Sequence, residues 1–112
     1  ARTAAMIRED LSALDGFAEE IDAKLGAEPS VRELGGLPSA LRTRILRRRA
    51  IDGGARPGEL TSWHIATLDS LVSRRRGGSS LDLPGMRVTI DEGRITFDGA
   101  VPTNREENRG SS

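Results

Sequence analysis

The residues of this sequence best suited to chemistry are arginines gathered in its central segment. Each guanidinium group is planar, stays charged, and donates paired hydrogen bonds to phosphate oxygens. A basic stripe of this kind on one helix is typical of a surface that contacts nucleic-acid phosphates. The cluster consists of Arg42, Arg44, Arg47, Arg48 and Arg49.

The pattern of apolar residues around the cluster divides these arginines. These arginines lie on a helix predicted at about residues 38–52. Leu41 and Ile45 are on its buried side. Arg44 and Arg47 are therefore predicted to point to solvent, where phosphates could reach them.

Arg42 and Arg49 instead fall within the apolar arc of the same helix. Such residues must extend their stems to solvent, pair with a carboxylate or face another domain. For Arg42 we predict that a carboxylate or backbone carbonyls hold the guanidinium, since a buried unpaired charge is costly. The candidate carboxylates are Asp10, Asp15 and Glu33.

A second basic run, Arg74, Arg75 and Arg76, ends a later predicted helix. The C-terminus of a helix attracts cations, so these side chains have a structural interpretation beside a nucleic-acid one. They are second candidates for phosphate contacts, on charge alone.

Other kinds of site lack the residues they need. The single histidine, His64, has no serine or cysteine nucleophile spaced to work with it, so we interpret it as structural. Trp63 could stack on a base, but we interpret it as a partly buried core or interface residue. The chain has no cysteine and no phosphate-binding glycine loop. The sequence therefore predicts no catalytic residue, no metal site and no cofactor in this chain.

Charge is unevenly distributed although the formal net charge is zero. Residues 1–30 carry seven acidic and three basic side chains, whereas residues 31–90 carry five acidic and eleven basic ones. The arginine cluster thus has an alternative interpretation, as a solvated face with ion pairs to the acidic first helix.

Periodicity predicts an α+β fold of three helices, at about 2–25, 38–52 and 62–75, followed by a small antiparallel sheet at about 80–98. An apolar seam from Ile7 to Leu25 follows the first helix, and Thr61 is predicted to cap the third. Residues 30–36 are predicted to be a connector with a short extended piece. We predict one domain over residues 1–98, with the first helix as an interdomain connector, and a disordered tail over 99–112.

The order of several short motifs resembles bacterial tRNA(Ile)-lysidine synthases of the actinobacterial type, in the region that follows their catalytic domain. The resemblance covers residues 1–98. It is carried by LPSALRTRILR at 37–47, LT and HI at 60–61 and 64–65, LDLPG at 81–85, RV at 87–88 and GRI at 93–95. The chain departs from the family pattern at Met86, where a second glycine is common, and at Arg74–Arg76, where a tryptophan is common.

The resemblance implies a ligase that uses ATP and Mg²⁺ to attach lysine to the wobble cytidine of tRNA(Ile). That chemistry belongs to an N-terminal catalytic domain with an SGGxDS loop, which this chain lacks. The implied role of this chain is tRNA binding in the cytoplasm, with tRNA(Ile) and the catalytic domain as partners and no membrane. Arg42, Arg44 and Arg47 match the family's helix and are the first candidates for RNA or interdomain contacts.

Two alternatives remain open from the sequence. One is a purely structural domain that packs on the catalytic domain. The other is a winged-helix DNA-binding module, whose recognition helix should expose base-reading side chains along its length. The third helix offers Ser62, Thr67, Asp69 and Ser70 instead.

Overall fold

The computed structural model describes residues 2–74 and 77–99, and for residues 2–7 it describes the backbone alone. Within these ranges four helices precede a three-stranded antiparallel sheet, which confirms the predicted α+β class. Arg75, Arg76 and the predicted tail at 100–112 lie outside the described residues. The elements are α1 (Arg2–Lys24), α2 (Val31–Gly35), α3 (Ser39–Asp52), a 3-10 turn (Pro57–Glu59), α4 (Ser62–Ser73), β1 (Ser79–Leu83), β2 (Met86–Asp91) and β3 (Arg94–Asp98).

Helix α1 packs on α3 through its C-terminal half. Ala18 is fully buried there, and Ile21 and Leu25 are partly buried. Leu14, the preceding residue of the predicted seam, is partly buried, but Leu11 before it is 45% exposed, and Phe17 is 56% exposed. A helix of 23 residues is longer than the 14-residue α3, so α3 cannot cover its whole length. The apolar seam is therefore buried over only part of α1.

The connector between α1 and α3 differs from its predicted extended form, since residues 31–35 form a short helix. The Ser30 hydroxyl accepts the Glu33 N–H at 2.9 Å, and the Glu33 carboxylate accepts the Ser30 N–H at 3.3 Å. This reciprocal pair is a capping box, which stabilises the first turn of a helix. Val31 and Leu34 are buried by it. The Ser-x-x-Glu spacing was a sequence signal for this helix that the prediction missed.

The sheet is a meander in which β2 pairs with both neighbours. Alternate residues of β2, Met86, Val88 and Ile90, are buried, as period-two patterning predicts. The connector pairs with the start of β3, because the Ile95 N–H donates to the Pro29 carbonyl at 3.0 Å. One aliphatic core thus joins the helices and the sheet. Its largest fully buried side chains are Leu34, Ile45, Leu46, Leu68, Val72, Val88, Ile90 and Ile95.

None of the helices in the described part of the chain combines the length and the apolar character that a membrane span requires.

Candidate nucleic-acid interface

Arg42 is held inside the domain, as predicted for it. Its Nε and Nη2 donate to the two carboxylate oxygens of Asp69 on α4, and Nη1 donates to the Leu37 carbonyl at 2.9 Å. The Arg42 side chain is 11% exposed. The three acidic partners considered from the sequence are wrong, because the part of α3 that carries Arg42 faces α4. We therefore assign Arg42 to the fold, although it was among the first candidates for RNA contacts.

Arg49 makes the corresponding connection between α3 and α1. Its Nε donates to the Asp22 carboxylate at 2.5 Å, and its Nη2 donates to the Asp22 carbonyl at 3.1 Å. Both side chains are almost buried. Arg42 and Arg49 together connect α3 to both of its neighbouring helices through almost buried ion pairs.

Arg44 and Arg48 lie at the edge between α3 and α1. The Arg44 Nε donates to the Asp15 carboxylate at 2.9 Å, and its Nη1 donates to the Ala40 carbonyl at 2.8 Å. Arg48 lies 3.5 Å from a carboxylate oxygen of Asp22 and 4.0 Å from one of Glu19. Both arginines therefore make the ion pairs with the acidic first helix that the alternative interpretation predicted.

The predicted outward orientation needs correction for Arg44. Its side chain is 25% exposed, whereas that of Arg48 is 43% exposed. The prediction considered the apolar pattern of α3 alone. It did not include α1, which lies beside this face of α3 and covers most of Arg44.

Arg47 has a different environment. Its Nη1 donates to the Leu60 carbonyl at 3.1 Å, in the loop that leads into α4. Within residues 2–74 and 77–99 no carboxylate pairs with it. Arg47 is half-buried, so it reaches solvent less openly than its predicted outward position implied.

These residues meet in one surface pocket of about 270 Å³, which we call the arginine pocket. Three guanidinium groups and one carboxylate line it, so its lining is net positive. A pocket with this charge and these donors fits a phosphate oxyanion. Its lining residues are Asp15, Arg44, Arg47 and Arg48.

The second basic run is only partly described. Arg74 is exposed and caps the end of α4, and its N–H donates to the Ser70 carbonyl at 3.0 Å. This position fits the structural interpretation of a cation at a helix C-terminus. Its two neighbours, Arg75 and Arg76, lie outside the described residues.

His64 has the structural role expected of it. Its ring Nδ1 accepts the backbone N–H of Thr61 at 2.9 Å, and the backbone N–H of His64 donates to the Thr61 hydroxyl at 3.3 Å. Thr61 and His64 thus form a capping box at the start of α4. Trp63 does not belong to the core, because it is 67% exposed. Its ring packs edge-on against that of His64, with 5.5 Å between the ring centroids.

Two exposed ion pairs outside the arginine pocket shift the pKa of the residues that form them. A hydrogen bond from Arg56 lowers the pKa of Glu59, and one from Arg87 lowers the pKa of Asp82. Both shifts favour the charged carboxylate, so neither group is tuned for acid–base catalysis near neutral pH. Among the described residues no group of three metal-ligating side chains could hold an ion.

Comparison with known proteins gives one consistent result. A family model described as the TilS substrate binding domain matches residues 30–96, which run from the cap of α2 through most of β3. The tRNA(Ile)-lysidine synthase of Thermobifida fusca is 46% identical over 90 residues, covering 78% of this chain and 28% of the relative.

Further relatives of the same name agree. That of Streptomyces coelicolor is 39% identical over 102 residues, covering 83% of this chain and 27% of the relative. That of Salinispora arenicola is 39% identical over 106 residues, covering 91% of this chain and 32% of the relative. The chain thus spans between about a quarter and a third of the length of these relatives.

Proposed function

The chain belongs to the TilS substrate binding domain family, and we propose that it is the tRNA-binding domain of a tRNA(Ile)-lysidine synthase. We call that synthase the parent enzyme. Its ATP- and Mg²⁺-dependent attachment of lysine to the wobble cytidine of tRNA(Ile) belongs to a catalytic domain outside this chain. In this proposal the chain holds the tRNA, the catalytic domain is its second partner, and both act in the cytoplasm.

The observation that carries the proposal is the arginine pocket. RNA presents a regular series of phosphates, and their neutralisation by arginine supplies much of the affinity of such complexes. Arg44, Arg47 and Arg48 bring three guanidinium groups to one accessible place. Arg42 and Arg49 are left out of the interface, because their carboxylate partners already hold them inside the domain.

The purely structural alternative has one observation in its favour. Arg44 and Arg48 each contact a carboxylate of α1, so the pocket could serve only to join the two helices. Arg47 argues against that view, since it has a backbone carbonyl as its partner and no described carboxylate. The winged-helix alternative is weaker, because Asp69 of α4 is occupied by Arg42 rather than presented to bases.

Replacement of both Arg44 and Arg47 by glutamine in the parent enzyme should weaken tRNA binding. We expect the log–log slope of affinity against salt concentration to become shallower by about one unit, because the two arginines share one pocket and each neutralised phosphate contributes about 0.7 to 0.9 to the slope. Filter binding or fluorescence titration of tRNA(Ile) over a salt series measures that slope.

The matched control replaces Arg56 and Arg87 by glutamine. These arginines are more exposed, each is paired with one carboxylate, and neither lines the pocket. The control removes the same charge, and its slope should stay close to that of the unmodified enzyme. Equal slopes for the two double variants would contradict the proposed interface and support the structural alternative.

A further inference from the structure

We propose that the arginine pocket is a subsite for a single phosphodiester group of the tRNA backbone, and that Asp15 occupies this subsite until RNA displaces it. The inference rests on the proposed function and adds a specific competitor to it. The competitor is a carboxylate of the same chain.

The exposure of Asp15 makes it displaceable. Its side chain is 72% exposed, and Arg44 is the arginine that it contacts, at 2.9 Å. Ion pairs this open to water contribute little to stability, so an incoming anion can replace the carboxylate at small cost. Asp22 and Asp69 are not displaceable in this way, because their side chains are only 11% and 21% exposed and each forms an ion pair with an almost buried arginine.

The arginines of the pocket would keep their positions after Asp15 leaves. The Arg44 Nη1 stays bonded to the Ala40 carbonyl at 2.8 Å, and the Arg47 Nη1 to the Leu60 carbonyl at 3.1 Å. Side chains fixed in this way lose little further freedom when a ligand binds, which favours affinity. The backbone therefore orients two guanidinium groups toward the pocket independently of Asp15.

A phosphate suits the pocket better than the carboxylate that occupies it. The Asp15 carboxylate pairs with Arg44 and lies beyond ion-pair distance of Arg47 and Arg48. The oxygens of a phosphodiester could accept from more than one guanidinium group at once, which gives a charge-assisted contact to each.

Removal of the Asp15 carboxylate should therefore strengthen tRNA binding. For Asp15→Asn in the parent enzyme we expect the Kd for tRNA(Ile) to fall about threefold, the value of a typical exposed ion pair. For Asp15→Lys, which adds a cation at the same place, the fall should be larger. The salt dependence of Asp15→Asn should run parallel to that of the unmodified enzyme, because the number of phosphate contacts is unchanged.

Glu20 provides the matched control. It is an exposed acidic residue of the same helix, does not line the pocket and makes no ion pair with any described residue. Glu20→Gln changes the net charge as much as Asp15→Asn, and Glu20→Lys as much as Asp15→Lys. We expect each Glu20 variant to change the Kd for tRNA(Ile) by less than half the factor seen with its Asp15 counterpart. If the Glu20 variants tighten binding as much as the Asp15 variants, the effect is general electrostatics and Asp15 displacement is wrong.

The two proposals fail in distinguishable ways. If replacement of Arg44 and Arg47 leaves the salt dependence of tRNA affinity unchanged, both the proposed interface and the phosphate subsite are wrong. A slope that depends on these arginines, together with an unchanged Kd for Asp15→Asn, overturns the subsite alone. Thermal melts establish that the variants are folded, and the exposed position of Asp15 makes both of its substitutions compatible with folding.

Discussion

Replacement of Arg42 by alanine is expected to lower the free energy of unfolding of the domain by about 3 kcal/mol. The substitution leaves the Asp69 carboxylate, 21% exposed, without its paired donors, and it also removes the donor to the Leu37 carbonyl. A partly buried carboxylate without a partner is more costly than the loss of the contact itself. Urea denaturation followed by circular dichroism measures the change.

Arg44→Ala is the matched control for this prediction, on the same helix and two residues away. Its partner Asp15 is 72% exposed and can return to water, so the loss should stay below about 1 kcal/mol. In a double-mutant cycle, Arg42→Ala combined with Asp69→Ala should destabilise less than the sum of the single changes. Equal stability losses for Arg42→Ala and Arg44→Ala would contradict the division of arginines drawn from the structure.

Replacement of Gly85 by alanine should be at least as damaging, again by about 3 kcal/mol or more. Gly85 has a φ of +97°, in the region that residues with a side chain rarely adopt. An added Cβ would also lie 2.6 Å from the Gly54 carbonyl oxygen, which belongs to the backbone and cannot simply rotate away. The loops after α3 and β1 are further joined by the Arg56 N–H, which donates to the Pro84 carbonyl at 2.9 Å.

Two other glycines separate the causes of this loss. Gly93 has a φ of +77° with open space around its Cβ position, so Gly93→Ala should show the backbone strain alone, about 1 kcal/mol. Gly58 has neither a positive φ nor a neighbour within 4 Å, and its substitution should change stability by about 0.5 kcal/mol or less. Thermal melts that rank the three variants in any other order would contradict the close approach of the two loops.

Local patterns predicted the elements well because short-range chemistry determines them. Thr61 caps α4, Leu60 and Ile65 are buried on either side of that cap, and β2 alternates as its sequence indicates. The one helix that the prediction missed is also local, since Ser30 and Glu33 carry its capping box. The family, too, was recognisable from the order of short motifs and is confirmed by the match over residues 30–96.

The arrangement of the candidate site depended on packing between elements. The sequence by itself determined that Arg42 needs a partner, because a charge on the apolar side of a helix cannot remain unpaired. Only the tertiary structure decided that the partner is Asp69, 27 residues away on α4, and that Asp15 of α1 covers Arg44. A helical wheel describes one helix in isolation, whereas the accessibility of an arginine depends on which neighbours lie against each side of its helix and on the carboxylates that they carry.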